Sequence, residues 1–304
     1  MTSRQNLLGI AAITLTSILW GTTGTAATFA PDAGPLAIGS AALGIGGLLQ
    51  ALIAIPSIRQ ALPALRANAN SVILGAFAVA IYPLAFYSSM HYAGVAIGSV
   101  VSLASAPLAS GLLERYLEKR RLSLWWMLSA SLGALGSAML CVSRMGDTEG
   151  SAETTALGVG LGLIAGFTYA SYSWVAHHLM ELRIPRAASM GAVFGCGGLL
   201  LMPVLLVTGA PLIATREAFL VATYMALIPM FLGYVLFGFG LARVPASTAT
   251  TITLTEPAVA AILAVAIVGE TLTPLGWVGL ATIGTTLIIL ALAPTNNRAQ
   301  GLPS

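Results

Sequence analysis

Ten apolar stretches, each about as long as a helix needs to be to cross a bilayer, follow one another along this chain almost without interruption. They run Leu7–Ala30, Pro35–Ile55, Ser71–Tyr92, Val95–Leu113, Leu124–Val142, Ala156–Leu179, Ala187–Thr208, Phe219–Ala242, Ala246–Val268 and Leu275–Ala293. A spanning helix takes about 20 mostly apolar residues, so ten of them consume the chain and leave only short connections, with no room for a soluble domain. Closed β-barrels are the other structure that satisfies every backbone group in lipid, but their strands alternate polar and apolar residues, and these stretches do not. The expected fold is therefore an all-α polytopic membrane protein. Only 8% of the 304 residues are charged, against about 25% in soluble domains. A cytosolic enzyme, a nucleic-acid binder and a disordered regulator are thereby excluded. The 13 Lys and Arg residues are scattered and form no patch for nucleic acid. Cys141 and Cys196 both sit in apolar runs, which suits packing better than a disulfide. The first stretch is longer than the 7–15-residue core of a signal peptide and is expected to stay as a span.

Orientation follows from the basic residues. With ten spans, one side receives the N-terminus and every even-numbered loop, and it holds eleven of the thirteen: Arg4, Arg59, Arg66, Arg115, Lys119, Arg120, Arg121, Arg183, Arg186, Arg243 and Arg298. Arg144 and Arg216 fall on the other side. Both termini are expected in the cytoplasm.

The two halves resemble each other at a shift of about 150 residues. Ala104-Ser105-Ala106-Pro107 aligns with Leu254-Thr255-Glu256-Pro257, Gly9 and Trp20 with Gly158 and Tyr169, Trp126 and Gly133 with Trp277 and Gly284, and Tyr82-Pro83 with Ile228-Pro229. Residues 1–146 and 147–304 are thus expected to be two five-helix repeats. Five is odd, so the second repeat must enter the membrane inverted. The loops agree: Glu118-Lys119-Arg120-Arg121 is basic where Gly269-Glu270-Thr271 is not. Inverted repeats whose interface lies near the bilayer midplane are a common architecture of secondary transporters.

Ser17-Ile18-Leu19-Trp20-Gly21 in the first span, and Glu256-Pro257 with Gly269-Glu270 around the ninth, resemble the drug/metabolite transporter superfamily and in particular its EamA-type exporters of aromatic amino acids. That resemblance implies ten helices, a pseudo-twofold axis, a central cavity and export across the inner membrane of a bacterium. Ala106 stands where Glu256 stands in the second half, so no symmetric pair of carboxylates exists.

Glu256 is the one acid deep within a span. At mid-bilayer a charge costs about 2.5–3.5 kcal/mol on insertion scales, so it should face a watery cavity or protein. It is either a proton or substrate-amine site or a carboxyl that satisfies backbone freed by Pro257. Pro107 and Pro257 are expected to kink or interrupt the fourth and ninth helices at matching depth, and Pro83 and Pro229 the third and eighth, marking hinges around a binding site. Trp20, Tyr82, Tyr169 and Tyr172 lie well inside their spans and suit an aromatic-lined cavity, or plain packing. Hydroxyls at Ser99, Ser102, Thr251 and Thr255 can bind a polar group, although small residues in membrane helices more often pack or bond back to their own helix. Gly94/Gly98, Gly162/Gly166 and Gly191/Gly195 read as packing. His177, His178 and Glu181 at the inner end of the sixth span are too few for a metal site and read as interfacial.

No Lys or Arg stands at mid-depth, which argues against phosphorylated cargo, and neither a P-loop nor a metallohydrolase, nucleophile-elbow or redox motif occurs. The expectation is a secondary exporter, with no catalytic residues, cofactor or metal, which moves neutral or zwitterionic metabolites by alternating access. Aromatic and other apolar amino acids are foremost. Two further cargo or activity classes remain open on the residues alone: drugs or cationic compounds using Glu256 as counter-charge, and an intramembrane enzyme using Glu256 with a serine. A passive channel is a further alternative and would show transport without counterflow.

Overall fold

The structure is a computed structural model and describes residues 3–119, 121–143, 152–263, 265–266 and 272–292. Arg120, Arg144, Gly269-Glu270-Thr271 and Arg298, which entered the charge and motif readings, lie outside the described residues.

Helices account for nearly all of the described chain. They are α1 (Ser3–Gly21), α2 (Pro35–Ala67), α3 (Ala69–Ala93), α4 (Val95–Leu117), α5 (Leu124–Val142), α6 (Ala152–Glu181), α7 (Arg186–Thr208), α8 (Arg216–Leu241), α9 (Ala246–Ile252), α10 (Glu256–Leu263) and α11 (Pro274–Leu292). A short helical turn, Thr23–Ala27, prolongs α1. Nine helices among the described residues are long and apolar enough to cross a membrane. The remaining expected span is α9 and α10, joined by a 3₁₀ turn at Thr253–Thr255. Large apolar side chains face outward as they would toward lipid, Leu206 and Val207 each being 85% exposed. The chain is a multi-pass membrane protein.

Packing between the halves is reciprocal. α1 lies along α8 as α3 lies along α6, α2 pairs with α7, and α5 pairs with α11. Exchanging the halves leaves that list unchanged, which is what a twofold axis between two inverted repeats produces. Close approach depends on small residues where apolar driving force between helices is weak in lipid. On α7, a Cβ added at Gly191 or Gly195 would run into Ala54 or Ala51 of α2. Gly94, at φ 83°, makes the tight passage from α3 to α4 that a side chain would strain.

The prolines do not behave as matched pairs. α3 and α4 run uninterrupted through Pro83 and Pro107, so of the expected kinks or interruptions no interruption occurs at these two. In the second half, Pro229 lies in a π-helical turn, Ala226–Leu232, and Pro257 falls in the first turn of the new helix α10, where its missing N–H leaves nothing unpaired. The break before it coincides with threonine hydroxyls that donate to backbone carbonyls, Thr253 to Thr250 at 2.9 Å and Thr255 to Ile252 at 2.8 Å. Such bonds compete with the helical ladder. A second π-helical turn, Ser40–Ile45 in α2, packs against the one in α8. α2 runs twelve residues past its apolar stretch, through Pro56 and Pro63, to Ala67.

Candidate functional site

A cavity of about 90 Å³ enters from the face opposite the N-terminus. Its mouth is made by the ends of α1, α3, α5 and α10 and the start of α4, with Met90, Val95 and Cys141 among its walls, and its depth is reached by Trp20, Leu103 and Glu256. A smaller chamber of about 10 Å³ continues below, sharing Trp20, Thr23, Phe86 and Glu256 and adding Tyr82, Tyr87 and Tyr234. Among the described residues, neither chamber is lined by a Lys, Arg or His.

The break between α9 and α10 creates the one charged position among the described lining residues. Glu256 is the first residue of α10, so its carboxylate sits at a helix N-terminus, where the partial positive charge of the free N–H groups favours an anion. The side chain is 8% exposed, and its Oε2 has no hydrogen-bond partner. That oxygen therefore does not satisfy backbone freed by Pro257. It is a buried acceptor on the cavity wall, and such groups in native structures call for an explanation.

Trp20-Gly21 builds the opposite wall. A Cβ on Gly21 would come within 2.7 Å of Val259, so only glycine lets α1 come this close to α10 beside Glu256. The Trp20 indole donates to the Pro229 carbonyl at 2.9 Å. In a regular helix that carbonyl would accept from the Gly233 N–H, but in the π-helical turn Gly233 bonds back to Ile228 instead. Gly233 also leaves room for the indole, whose Nε1 would lie 2.9 Å from a Cβ there. The π turn and the tryptophan thus fit each other.

Of the sequence-predicted site residues, Trp20, Ser99 and Glu256 line the main cavity and Tyr82 the lower chamber. Tyr169 and Tyr172 are fully buried behind them. Tyr169 donates to or accepts from Thr253 Oγ1 at 2.8 Å, and Tyr172 pairs with Tyr234 at 2.6 Å. With Phe194 and Phe237 these tyrosines form a continuous aromatic layer, against whose cavity side Trp20 packs edge-on and Tyr82 at a tilt. Ser102, Thr251 and Thr255 do not reach the cavity. Each hydroxyl donates within its own helical segment, to Gly98, Ser247 and Ile252 respectively. Pro257 lines the cavity and Pro83 the lower chamber, Pro229 is reached by the Trp20 indole, and Pro107 lines neither chamber.

Phe86, Met90 and Thr23 are wall residues that the sequence reading passed over. A signal existed: Tyr82, Phe86 and Met90 recur every fourth residue on one face of α3, and Thr23 follows Trp20 by three. Glu114 was also missed. It is 4% exposed near the C-terminal end of α4, and both its oxygens accept from Ser247, from the N–H at 2.8 Å and the hydroxyl at 2.7 Å. Nearby, His177 Nδ1 donates to the Leu241 carbonyl at 2.7 Å, and His178 stacks on Trp174, whose indole donates to Glu118. Ligand atoms of Glu118, His178 and Glu181 lie within 4.8 Å of one another.

An inverted-repeat bundle around a cavity that reaches its middle from one face has the build of a membrane transporter. The sequence comparisons agree. The EamA-like transporter family matches twice, over residues 7–142 and 156–292, one match in each half. The chain belongs to the EamA-like transporter family. An uncharacterized transporter of Bacillus subtilis (strain 168), YwfM, is 33% identical over 288 residues, covering 94% of each chain. A solved crystal structure of a protein only 18% identical matches 95% of this chain and 96% of its own with a TM-score of 0.75, which supports the fold.

Proposed function

We propose that this transporter is a secondary exporter of small neutral or zwitterionic metabolites, aromatic and other apolar amino acids first, working by alternating access across the inner membrane of a bacterium with both termini in the cytoplasm. The observation that carries this reading is the chemistry of the cavity: among the described residues its lining has one carboxylate, aromatic and aliphatic side chains, and no cation. An α-ammonium group finds a counter-charge in Glu256, and an apolar side chain finds Trp20, Phe86 and Leu103. A phosphorylated cargo finds no clamp. The volume, about 90 Å³, is well under the ~300–1,000 Å³ of drug-sized pockets, which favours amino acids over drugs, and the cavity must widen from this state to take an aromatic one. The charge bias of the loops supports the orientation, and hence export into the compartment that the cavity faces.

Counterflow in proteoliposomes tests the cargo. Vesicles preloaded with unlabelled amino acids, one at a time, are given labelled phenylalanine outside. Accumulation driven best by aromatic and apolar amino acids, and weakened in Tyr169→Ala, is the expected result. Flux without exchange stimulation identifies a channel, and no uptake with any amino acid in folded protein moves the cargo to another class.

A further inference from the structure

At the face bearing the N-terminus the cavity is doubly closed. The aromatic layer comes first. Beyond it, two polar contacts hold the hairpin between α8 and α9 to the rest of the bundle. His177, two turns after Tyr169 on α6, donates to Leu241 at the end of α8. Glu114, on α4, grips the start of α9 through both the N–H and the hydroxyl of Ser247. Ser247 is the second residue of α9, so its N–H has no partner within the helix and the carboxylate supplies one. Ser247 is 3% exposed, so the contact is dry and strong, because a carboxylate that accepts two bonds out of water is worth more than a surface pair.

The segment that Glu114 grips is the one that carries Glu256. α9 leads through the 3₁₀ turn directly to the cavity carboxylate. Any movement of α9 that opens this face breaks both bonds to Glu114, whereas movement that opens the other face need not. We propose that Glu114 is the latch of the N-terminal face: it holds α9 against α4 while the cavity opens to the opposite side, and it must release Ser247 before cargo can enter from the N-terminal side. Glu114 touches no cargo and acts by position. The proposal rests on the carrier reading above.

Ser110 provides the reporter. It lies one turn from Glu114 on α4 toward the cavity, is fully buried, and its hydroxyl has no hydrogen-bond partner, so Ser110→Cys is a mild change. In protein with Cys141→Ala and Cys196→Ala, reconstituted in vesicles of known sidedness, a membrane-impermeant maleimide is applied to one face at a time. With Glu114 intact, labelling from the N-terminal face is slow. Glu114→Gln, which keeps the shape and loses the charge, is expected to raise that rate roughly tenfold, and Ser247→Ala, which removes one of the two bonds, by less. Labelling from the opposite face should not rise. Rates unchanged in both variants, or raised equally from both faces as general loosening would do, overturn the latch. Should Glu114→Gln fail to fold, Ser247→Ala alone decides. Labelling needs no cargo, so it reads the latch even where counterflow rejects amino acids.

Discussion

α4 in the first half and the α9–α10 segment in the second occupy corresponding places and carry matching prolines, Pro107 and Pro257, yet they are built differently. α4 is one unbroken helix with Ala106, fully buried, beside its proline. The second-half segment unwinds into a 3₁₀ turn, restarts, and presents Glu256 at the restart. The same contrast holds between α3, regular at Pro83, and α8, π-helical at Pro229. A duplication supplies a symmetric frame, and the two copies of each element then divide the work. In these two pairs the first-half members, α3 and α4, are unbroken rods, α4 carrying Glu114 in its last turn, and the second-half members provide the irregular backbone that sets a charge on the cavity wall and frees a carbonyl for Trp20; the first half's own irregular turn, Ser40–Ile45 in α2, packs against the one at Pro229. Irregular backbone at membrane depth is tolerated only where protein or a cavity surrounds it, and that is where both interruptions lie.

The sharpest way to break this comparison is to move the carboxylate. Glu256→Gln removes a charge-assisted bond to an ammonium group, about 1.5–3 kcal/mol, so the concentration of cargo for half-maximal counterflow should rise roughly ten- to hundredfold. Adding Ala106→Glu to that variant restores the carboxylate count at the equivalent place in α4, but there it meets no cavity and no helix start. No rescue is expected, and the double variant should also lose stability because a buried charge is left unpaired. Recovery of transport would show that the halves are interchangeable.

Overpacking probes the wall opposite. Gly21→Ala puts a methyl group against Val259 and is expected to cost about 1–3 kcal/mol, read as a lower thermal midpoint in detergent and slower counterflow. Gly24→Ala, three residues on, meets nothing within 4 Å and should be neutral. The two alanines differ only in whether α1 must touch α10.

The Trp20 bond is worth less. Trp20→Phe keeps an aromatic ring against Tyr234 and Phe237 but loses the donation to Pro229, a net effect of about 0.5–1.5 kcal/mol. If the π turn of α8 is held open by that bond, hydrogen exchange around Gly233 should slow as its amide returns to the Pro229 carbonyl. Unchanged exchange there would mean that Pro229 alone fixes the turn.

How much of this could be read from the sequence differed by kind of feature. The spans were legible because the bilayer sets their length. Leu124–Val142 has the same bounds in the structure, and α2 overran its apolar stretch only because a helix can continue past the membrane, carrying Arg59 and Arg66 into water. Trp20 and Glu256 were legible because each is singular at its depth. The hydroxyls of Ser102, Thr251 and Thr255 were not, since any Ser or Thr in a helix has a carbonyl of its own within reach, and only the surroundings decide which it uses. The prolines of each pair look alike as letters. What separates Pro257 from Pro107 is the cluster of threonines before it, and what separates Pro229 from Pro83 is the fit between Trp20 and Gly233. Glu114 was hidden because Arg115 beside it makes the pair look like ordinary interfacial charge, while its true partner is more than a hundred residues away.

The smallest expected effect divides the hydroxyls between the halves. Ser102 in α4 bonds only to Gly98 of its own helix, and Ser102→Ala removes a bond that the backbone barely needs, so stability should change by no more than ~0.5 kcal/mol and counterflow by less than about twofold. Thr253 serves two partners at once, the Thr250 carbonyl and the Tyr169 hydroxyl. Thr253→Val keeps the shape but leaves the buried Tyr169 hydroxyl unpaired, at about 1–3 kcal/mol. Because that hydroxyl ties the aromatic layer to the 3₁₀ turn, the loss should appear in counterflow as well as in stability, and Tyr169→Phe added to Thr253→Val should recover part of both by removing the orphaned group. Equal effects of Ser102→Ala and Thr253→Val would mean that the broken helix is no more dependent on its side chains than the unbroken one, and that the asymmetry between the halves is geometric without being functional.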